Sequence, residues 1–332
     1  MKNPIRSILA LAVALAFFCC AAATSAATFE TSVTDAMQTL SLTKGDPQLL
    51  LMTDAPYVRV DDQSALPFLD KAQDLTGCTV GRGNLLFFQR PQAHPLRFML
   101  FHKSSGEAVI LSRMEGTWSS EIIDLGSAAI SQPAFWERTG GYHAGRDLFT
   151  LAAIANVWAQ DGPYDFLKSA ELHNHICPGL TSGYLIAHYI QNHYPLAPGE
   201  RYTVLASPVW CKEDALQVVL DCTPGKKGLI VKPLSKEQLA AVSVPNPAAL
   251  LLIWNGKQKT GRGVALSFDF DRIRALSPEG TPKAATVLAA LDHLGDPDRF
   301  VSAVAAFELD EALYHRMIEA GSNPYEVAGL TK

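Results

Sequence analysis

Charge is scarce in this 332-residue sequence. Asp, Glu, Lys and Arg make up 18% of it, the formal net charge is −5, and no lysine- or arginine-rich stripe runs along any segment. That removes the electrostatic footprint by which proteins grip nucleic acid. Beyond residue 27 no apolar stretch is long enough for a membrane span, so no stable insertion of a mature chain is expected. Cys-x-x-Cys-His is missing, which excludes covalently attached c-type haem. Also missing is Gly-x-Ser-x-Gly, the turn that exposes an α/β-hydrolase nucleophile. Gly81-Arg82-Gly83 and Gly225-Lys226-Lys227-Gly228 lack the spacing and the following helix of a phosphate loop. Disorder is excluded too, because 48% hydrophobic residues suffice for a sizeable core.

The N-terminus reads as an export signal. Lys2 and Arg6 precede an uncharged apolar run from Ile8 to Ala23, and Thr24-Ser25-Ala26-Ala27 suits cleavage near Ala26 or Ala27. This pattern predicts a signal peptide over residues 1–26 and a periplasmic or otherwise exported protein. An uncleaved anchor is the alternative. Phe18 and Cys19 precede Cys19 and Cys20 respectively, where a lipobox needs a small residue. Removing the signal leaves ~300 residues, enough for one large domain or two of ordinary size.

Within that remainder the chain repeats itself. Asp70-Lys71-Ala72-Gln73 is followed by Cys78-Thr79, then Gly81-Arg82-Gly83-Asn84-Leu85. Asp214-Ala215-Leu216-Gln217 is followed at the same spacing by Cys222-Thr223, then Gly225-Lys226-Lys227-Gly228-Leu229. Each block leads into strand-like runs: Leu85–Phe88, Phe98–Phe101 and Ala108–Leu111 in the first, Leu229–Val231, Leu250–Trp254 and Val264–Phe268 in the second. Aligned helix, glycine loop and strands together point to an internal duplication. Between the blocks, an amphipathic helix is expected over Asp147–Gln160 and a second from Pro178 to about Tyr194; a third, from Lys212 to about Asp221, contains the second block's Asp214–Gln217. Two more are expected between Pro282 and Ala320, split by Gly295-Asp296-Pro297. Helices and strands mix without regular alternation, which indicates an α+β fold.

The chemistry concentrates in Glu171-Leu172-His173-Asn174-His175-Ile176-Cys177-Pro178-Gly179. His173, His175 and Cys177 stand at alternate positions, which in an extended segment places them on one side. Imidazole and thiolate suit a transition metal ion, and four such ligands make a closed zinc site. Cys177 also precedes a helix, whose N-terminal partial charge favours the thiolate. The competing reading pairs the histidines with water and backbone and buries or cross-links the cysteine.

Four cysteines follow the signal: Cys78, Cys177, Cys211 and Cys222. In an oxidising compartment two disulfides compete with metal ligation. Cys211 heads the Lys212 helix as Cys177 heads its own, so it is the better fourth ligand. Cys222 lies a helix length away, roughly 15 Å at 1.5 Å per residue, and like Cys78 reads as a packed core thiol. Cys177–Cys211 and Cys78–Cys222 disulfides remain the alternatives. His188 and His193 read as packing or surface residues.

At these residues the sequence resembles the E-subunit family of formylmethanofuran dehydrogenase. The resemblance rests on Asp165–Ala170, on His173-x-His175-x-Cys177-Pro178-Gly179-Leu180 with Gly183-Tyr184, on Cys211-x-x-Asp214-Ala215-x-Gln217, and on Cys222-Thr223-x-Gly225-Lys226. It implies an α+β core that can form intertwined dimers. Leu220-Asp221 stands where the family has Thr-Gly, a form kept by Thr76-Gly77 in the first block. The first block lacks any His-x-His-x-Cys, has Pro67 where the second has Cys211, and no paired-cysteine zinc finger follows. The first half therefore reads as a degenerate copy, so that one chain imitates the family's dimer.

The expectation is thus a signal peptide over 1–26, a degenerate half over 28–145 and a metal-binding half over 146–332. The halves would pack as an intramolecular pseudo-dimer, monomeric or weakly homodimeric. The metal ligands would be His173, His175, Cys177 and Cys211, zinc the default ion, and the partner a metal ion or small metal-bearing ligand. A metal- or thiolate-dependent enzyme, and a disulfide-held partner-binding module, are the rival classes.

Overall fold

The computed structural model describes residues 27–332; the signal-peptide reading rests on residues 1–26 and lies outside the described residues. No helix among the described residues is long and apolar enough to cross a membrane.

Two five-stranded sheets share one plan. The first runs, in spatial order, Leu85–Phe87, Leu49–Thr53, Arg97–His102, Glu107–Met114, Thr117–Asp124. The second runs Leu229–Val231, Glu200–Ala206, Pro247–Asn255, Thr260–Phe268, Val301–Asp310. In both, the first pair is parallel and all others antiparallel. Register agrees as well. Leu51 pairs with Leu85 and Leu100, and Leu100 with Val109. Val204 pairs with Leu229 and Leu251, and Leu251 with Val264. Since a one-residue slip would turn every side chain to the other face, this agreement extends the repeat seen around Cys78 and Cys222 across both halves.

Helices Phe29–Thr39 and Leu66–Thr76 cover one face of the first sheet, packing Phe29, Val33, Ala36, Leu69 and Ala72 on Leu49, Leu51, Phe98 and Leu100. Helices Pro178–His193 and Lys212–Leu220 cover the matching face of the second sheet, around Val204, Leu251 and Val264. The same core takes in the opposite face of the first sheet, with Leu50, Met52, Met99, Phe101 and Ile110. The outer face of the second sheet, with Leu205, Leu250 and Leu252, is closed by Tyr314, Met317 and Tyr325. The chain is α+β with two similar sheet-containing halves, an arrangement consistent with the expected pseudo-dimer, and the shared core joins unlike faces of the two sheets.

Two sequence expectations change. Helix Asp147–Ala159 is buried nearly all round, through Leu148, Leu151, Ile154 and Val157 among others. It lies in the shared core, where an all-apolar surface is required rather than a stripe. In the tail, helices Lys283–Ala290 and Glu311–Ile318 form as expected, but a strand, Val301–Asp310, stands between them. It adds the fifth strand of the second sheet.

Candidate metal centre

The three central residues converge by a route the alternation does not predict. His173 is the last residue of a helix, Tyr164–His173, and Asn174 caps it in the left-handed conformation at φ 65°. Asparagine tolerates that conformation better than most residues. The chain then turns through His175 and the fully buried Ile176 to Cys177, the extended N-cap of helix Pro178–His193. The segment is a helix–turn–helix corner, not an extended strand. It nevertheless brings one ligand atom each of His173, His175 and Cys177 within 4.8 Å of one another. The two imidazole rings lie 4.2 Å apart, and Phe149 backs His175 at 5.5 Å.

Close helix packing sets the second wall. A Cβ on Gly183 would lie 2.3 Å from the Lys212 carbonyl oxygen, so only glycine permits this crossing. A Cβ on Gly179 would meet Cys211 Cβ at 3.0 Å and its Sγ at 3.3 Å. The crossing thus places Cys211 and Asp214, from the N-cap and first turn of helix Lys212–Leu220, beside the His173–Cys177 corner. Asp214 Oδ2 sits 2.7 Å from His173 Nδ1, and Cys177 Sγ 3.7 Å from His173 Nε2. Cys177 Sγ also accepts the Leu180 N–H at 3.4 Å, as an N-cap does.

These contacts determine protonation. Burial opposes charge on both His173 and Cys177, and local contacts more than offset it. Hydrogen bonds to Asp214 and Cys177 and their negative charges raise His173 to about 9. Hydrogen bonds from His173, His175 and the Leu180 N–H, with the charge of His175, lower Cys177 to about 5. Cys211 is pushed the other way, to about 11, by burial and then by the neighbouring Cys177 charge and hydrogen bond. Without metal, Cys177 and His173 form a thiolate–imidazolium pair with Asp214 behind the ring.

Of the four sequence candidates, His173, His175 and Cys177 form the close group; Cys211 adjoins it against Gly179 and Cys177 without belonging to it. In the sequence Asp214 stands in the repeat block and in the Cys211-x-x-Asp214 motif near the start of the Lys212 helix, with nothing that pairs it with His173. Its role as the partner of His173 depends on the crossing at Gly183, which has no local sequence signal. The four cysteines of the described residues are free thiols. Cys78 and Cys222 are buried, and burial raises both to about 11, as packed core thiols require. His188 faces Asp165 at 3.4 Å and His193 faces Asp298 at 2.7 Å, both away from the corner.

Two imidazoles and a thiolate are a donor set suited to zinc and other late transition metals. Asp214 supplies what a metal-binding histidine ordinarily has, a carboxylate on its other nitrogen. Residues 172–299 match the family model described as FmdE, Molybdenum formylmethanofuran dehydrogenase operon. This segment is similar to that family's domain, and the resemblance covers little more than a third of the chain. The segment contains His173, His175, Cys177, Cys211 and Asp214, and it stops just before the last strand of the second sheet. The first half lies outside the matched residues. No curated protein matches the chain.

Proposed function

We propose that the chain is an exported protein that binds one transition metal ion, zinc by default, and holds or hands over that metal or a small metal-bearing ligand. His173, His175 and Cys177 are the ligands of this reading, with Cys211 as the fourth. The supporting observation is the convergence of three donor atoms within 4.8 Å, one of them a thiolate, inside the FmdE-matching segment. Four such ligands would close the site, whereas three would leave a position for water or a ligand. Formylmethanofuran chemistry is not part of the proposal, because the match covers little more than a third of the chain.

A second reading has its own support. Cys177, His173 and Asp214 stand in the order of a nucleophile, a base and the group that orients the base. In that reading Cys177 attacks an electrophilic substrate and His173 holds the proton.

Elemental analysis of the protein, purified without a histidine tag, separates the two. About one equivalent of transition metal per chain supports the metal reading. Well below half an equivalent after attempted reloading overturns it and leaves the thiolate reading.

A further inference from the structure

The corner that carries the candidate ligands is held from the other half of the chain. Strand Leu85–Phe87 is an outer strand of the first sheet, bonded on one side only. Along it, Phe88 gives its N–H inward to the Thr53 carbonyl, so the N–H groups of Phe87 and Gln89 point outward. An outer strand normally leaves such groups to solvent or blunts them. Here Phe87 N–H donates to Glu171 Oε1 at 2.9 Å and Gln89 N–H to Asn174 Oδ1 at 2.8 Å. The Asn174 amide returns a hydrogen bond to the Gln89 carbonyl at 3.1 Å. Asn174 thus completes a two-bond, strand-like pairing with one backbone residue. Its own carbonyl accepts the Thr150 hydroxyl at 2.7 Å.

The duplicated half provides a comparison within the same molecule. Lys232 N–H donates to the Ala206 carbonyl as Phe88 does to Thr53, so Val231 and Pro233 occupy the places of Phe87 and Gln89. Pro233 has no N–H to offer, and Val231 is 47% exposed. The same edge is therefore blunted by proline in one half and gripped by Asn174 and Glu171 in the other.

We propose that Asn174 is a positioning residue for the metal centre, and that through it the edge of the first sheet and a bound metal stabilise each other. Asn174 separates His173 from His175, so its left-handed backbone fixes where both imidazoles point. Its side chain is tied to Gln89, and the first half thereby pre-orders the ligands. Coupling between two equilibria is reciprocal; whatever the grip adds to metal affinity, the metal adds to the grip. The inference rests on the metal reading above, and gives the ligand-free first half a task beyond packing.

The test uses the full chain and zinc. Amide hydrogen exchange is followed at Phe87, Gln89 and Val231 with and without the ion, and zinc affinity is measured by chelator competition for wild type, Asn174→Gly and Asn174→Asp. Glycine keeps the left-handed turn and loses the amide; aspartate keeps an acceptor and loses the donor. Zinc should slow exchange at Phe87 and Gln89 in the wild type but not at Val231. Both variants should bind on the order of 10–100-fold more weakly, the loss typical of an outer-shell partner, while melting cooperatively without metal. Exchange at Phe87 and Gln89 indifferent to zinc in a wild type that binds it overturns the coupling. Undiminished affinity in both variants overturns the positioning role and leaves the metal reading intact. A wild type that takes up no zinc overturns the metal reading itself.

Discussion

Stripping metal from the protein should expose one thiolate at a pH where ordinary cysteines are protonated. Cys177 ionises near pH 5 instead of 9. At pH 6 it is then roughly nine-tenths thiolate, against about one-thousandth for an unperturbed thiol, a ~900-fold difference in reactive form. A weaker base is also a weaker nucleophile. With a Brønsted slope of about 0.4–0.5, four pKa units cost ~40–100-fold in intrinsic reactivity, leaving a net gain of ~10–20-fold. Cys78, Cys211 and Cys222 are held near 11 and should not compete. The assay is iodoacetamide labelling of chelator-treated protein from pH 4 to 9, with the modified residue located by mass spectrometry. Cys177 is only 9% exposed, which slows labelling at every pH and leaves the midpoint of the profile unaffected. Labelling should be confined to Cys177, turn on with a midpoint near 5, and be suppressed when zinc is restored. A midpoint near 9 would refute the thiolate–imidazolium pair, and with it the reasoning from Asp214 through His173 to Cys177.

Three further outcomes follow from the same geometry. Cys177→Ser should weaken zinc binding by more than the roughly 10–100-fold typical of an outer-shell change, while Cys78→Ser leaves it unaltered; equal losses in a chelator competition would put the site elsewhere. Zinc affinity should rise about tenfold per pH unit between about 6 and 9, because His173 stays protonated up to about 9 while Cys177 has already lost its proton. The unpartnered imidazoles of the sequence alone would place that competition between pH 7 and 5, so a flat profile above 7 removes the Asp214–His173 pair from the site. A fragment of residues 160–332 should aggregate or self-associate, since it strips Met52, Phe88, Met99, Phe101 and helix Asp147–Ala159 from the shared core; a well-folded monomer with normal metal content on size exclusion and melting would show independent halves.

What the sequence revealed, and what it hid, follows from how local each signal is. The helix starts at Pro178 and Lys212 were legible because a proline in the first turn and Glu213-Asp214 act within one turn. Leu85–Phe87, Arg97–His102 and Glu107–Met114, with their counterparts Leu229–Val231, Pro247–Asn255 and Thr260–Phe268, were legible as short apolar runs, and the Cys-to-Leu spacing before them betrayed the repeat. Thr117–Asp124 and Val301–Asp310 were not, because these outer strands carry Ser, Glu and Ala where one face meets solvent. Leu49–Thr53 is buried on both faces and offers no period to read.

The site divides along the same line. His173, His175 and Cys177 stand out by residue type and spacing, although the extended geometry expected for them is not the one that forms. Alternation argues for convergence only in an extended segment, and here a left-handed Asn174 and the buried Ile176 achieve it at a helix–turn–helix corner. The residues that tune the cluster come from elsewhere in the chain. Asp214 is delivered by a helix crossing that Gly183 permits, and Gln89 by a sheet in the other half. Neither lies within ten residues of the His173–Cys177 segment, and nothing in that segment says which distant residues will meet it. A ligand set can be written in one short motif because its donors must be specific atoms; its protonation and aim depend on contacts made only after folding. That is why a half with no ligand of its own still bears on the chemistry: it touches the one residue between the two histidines.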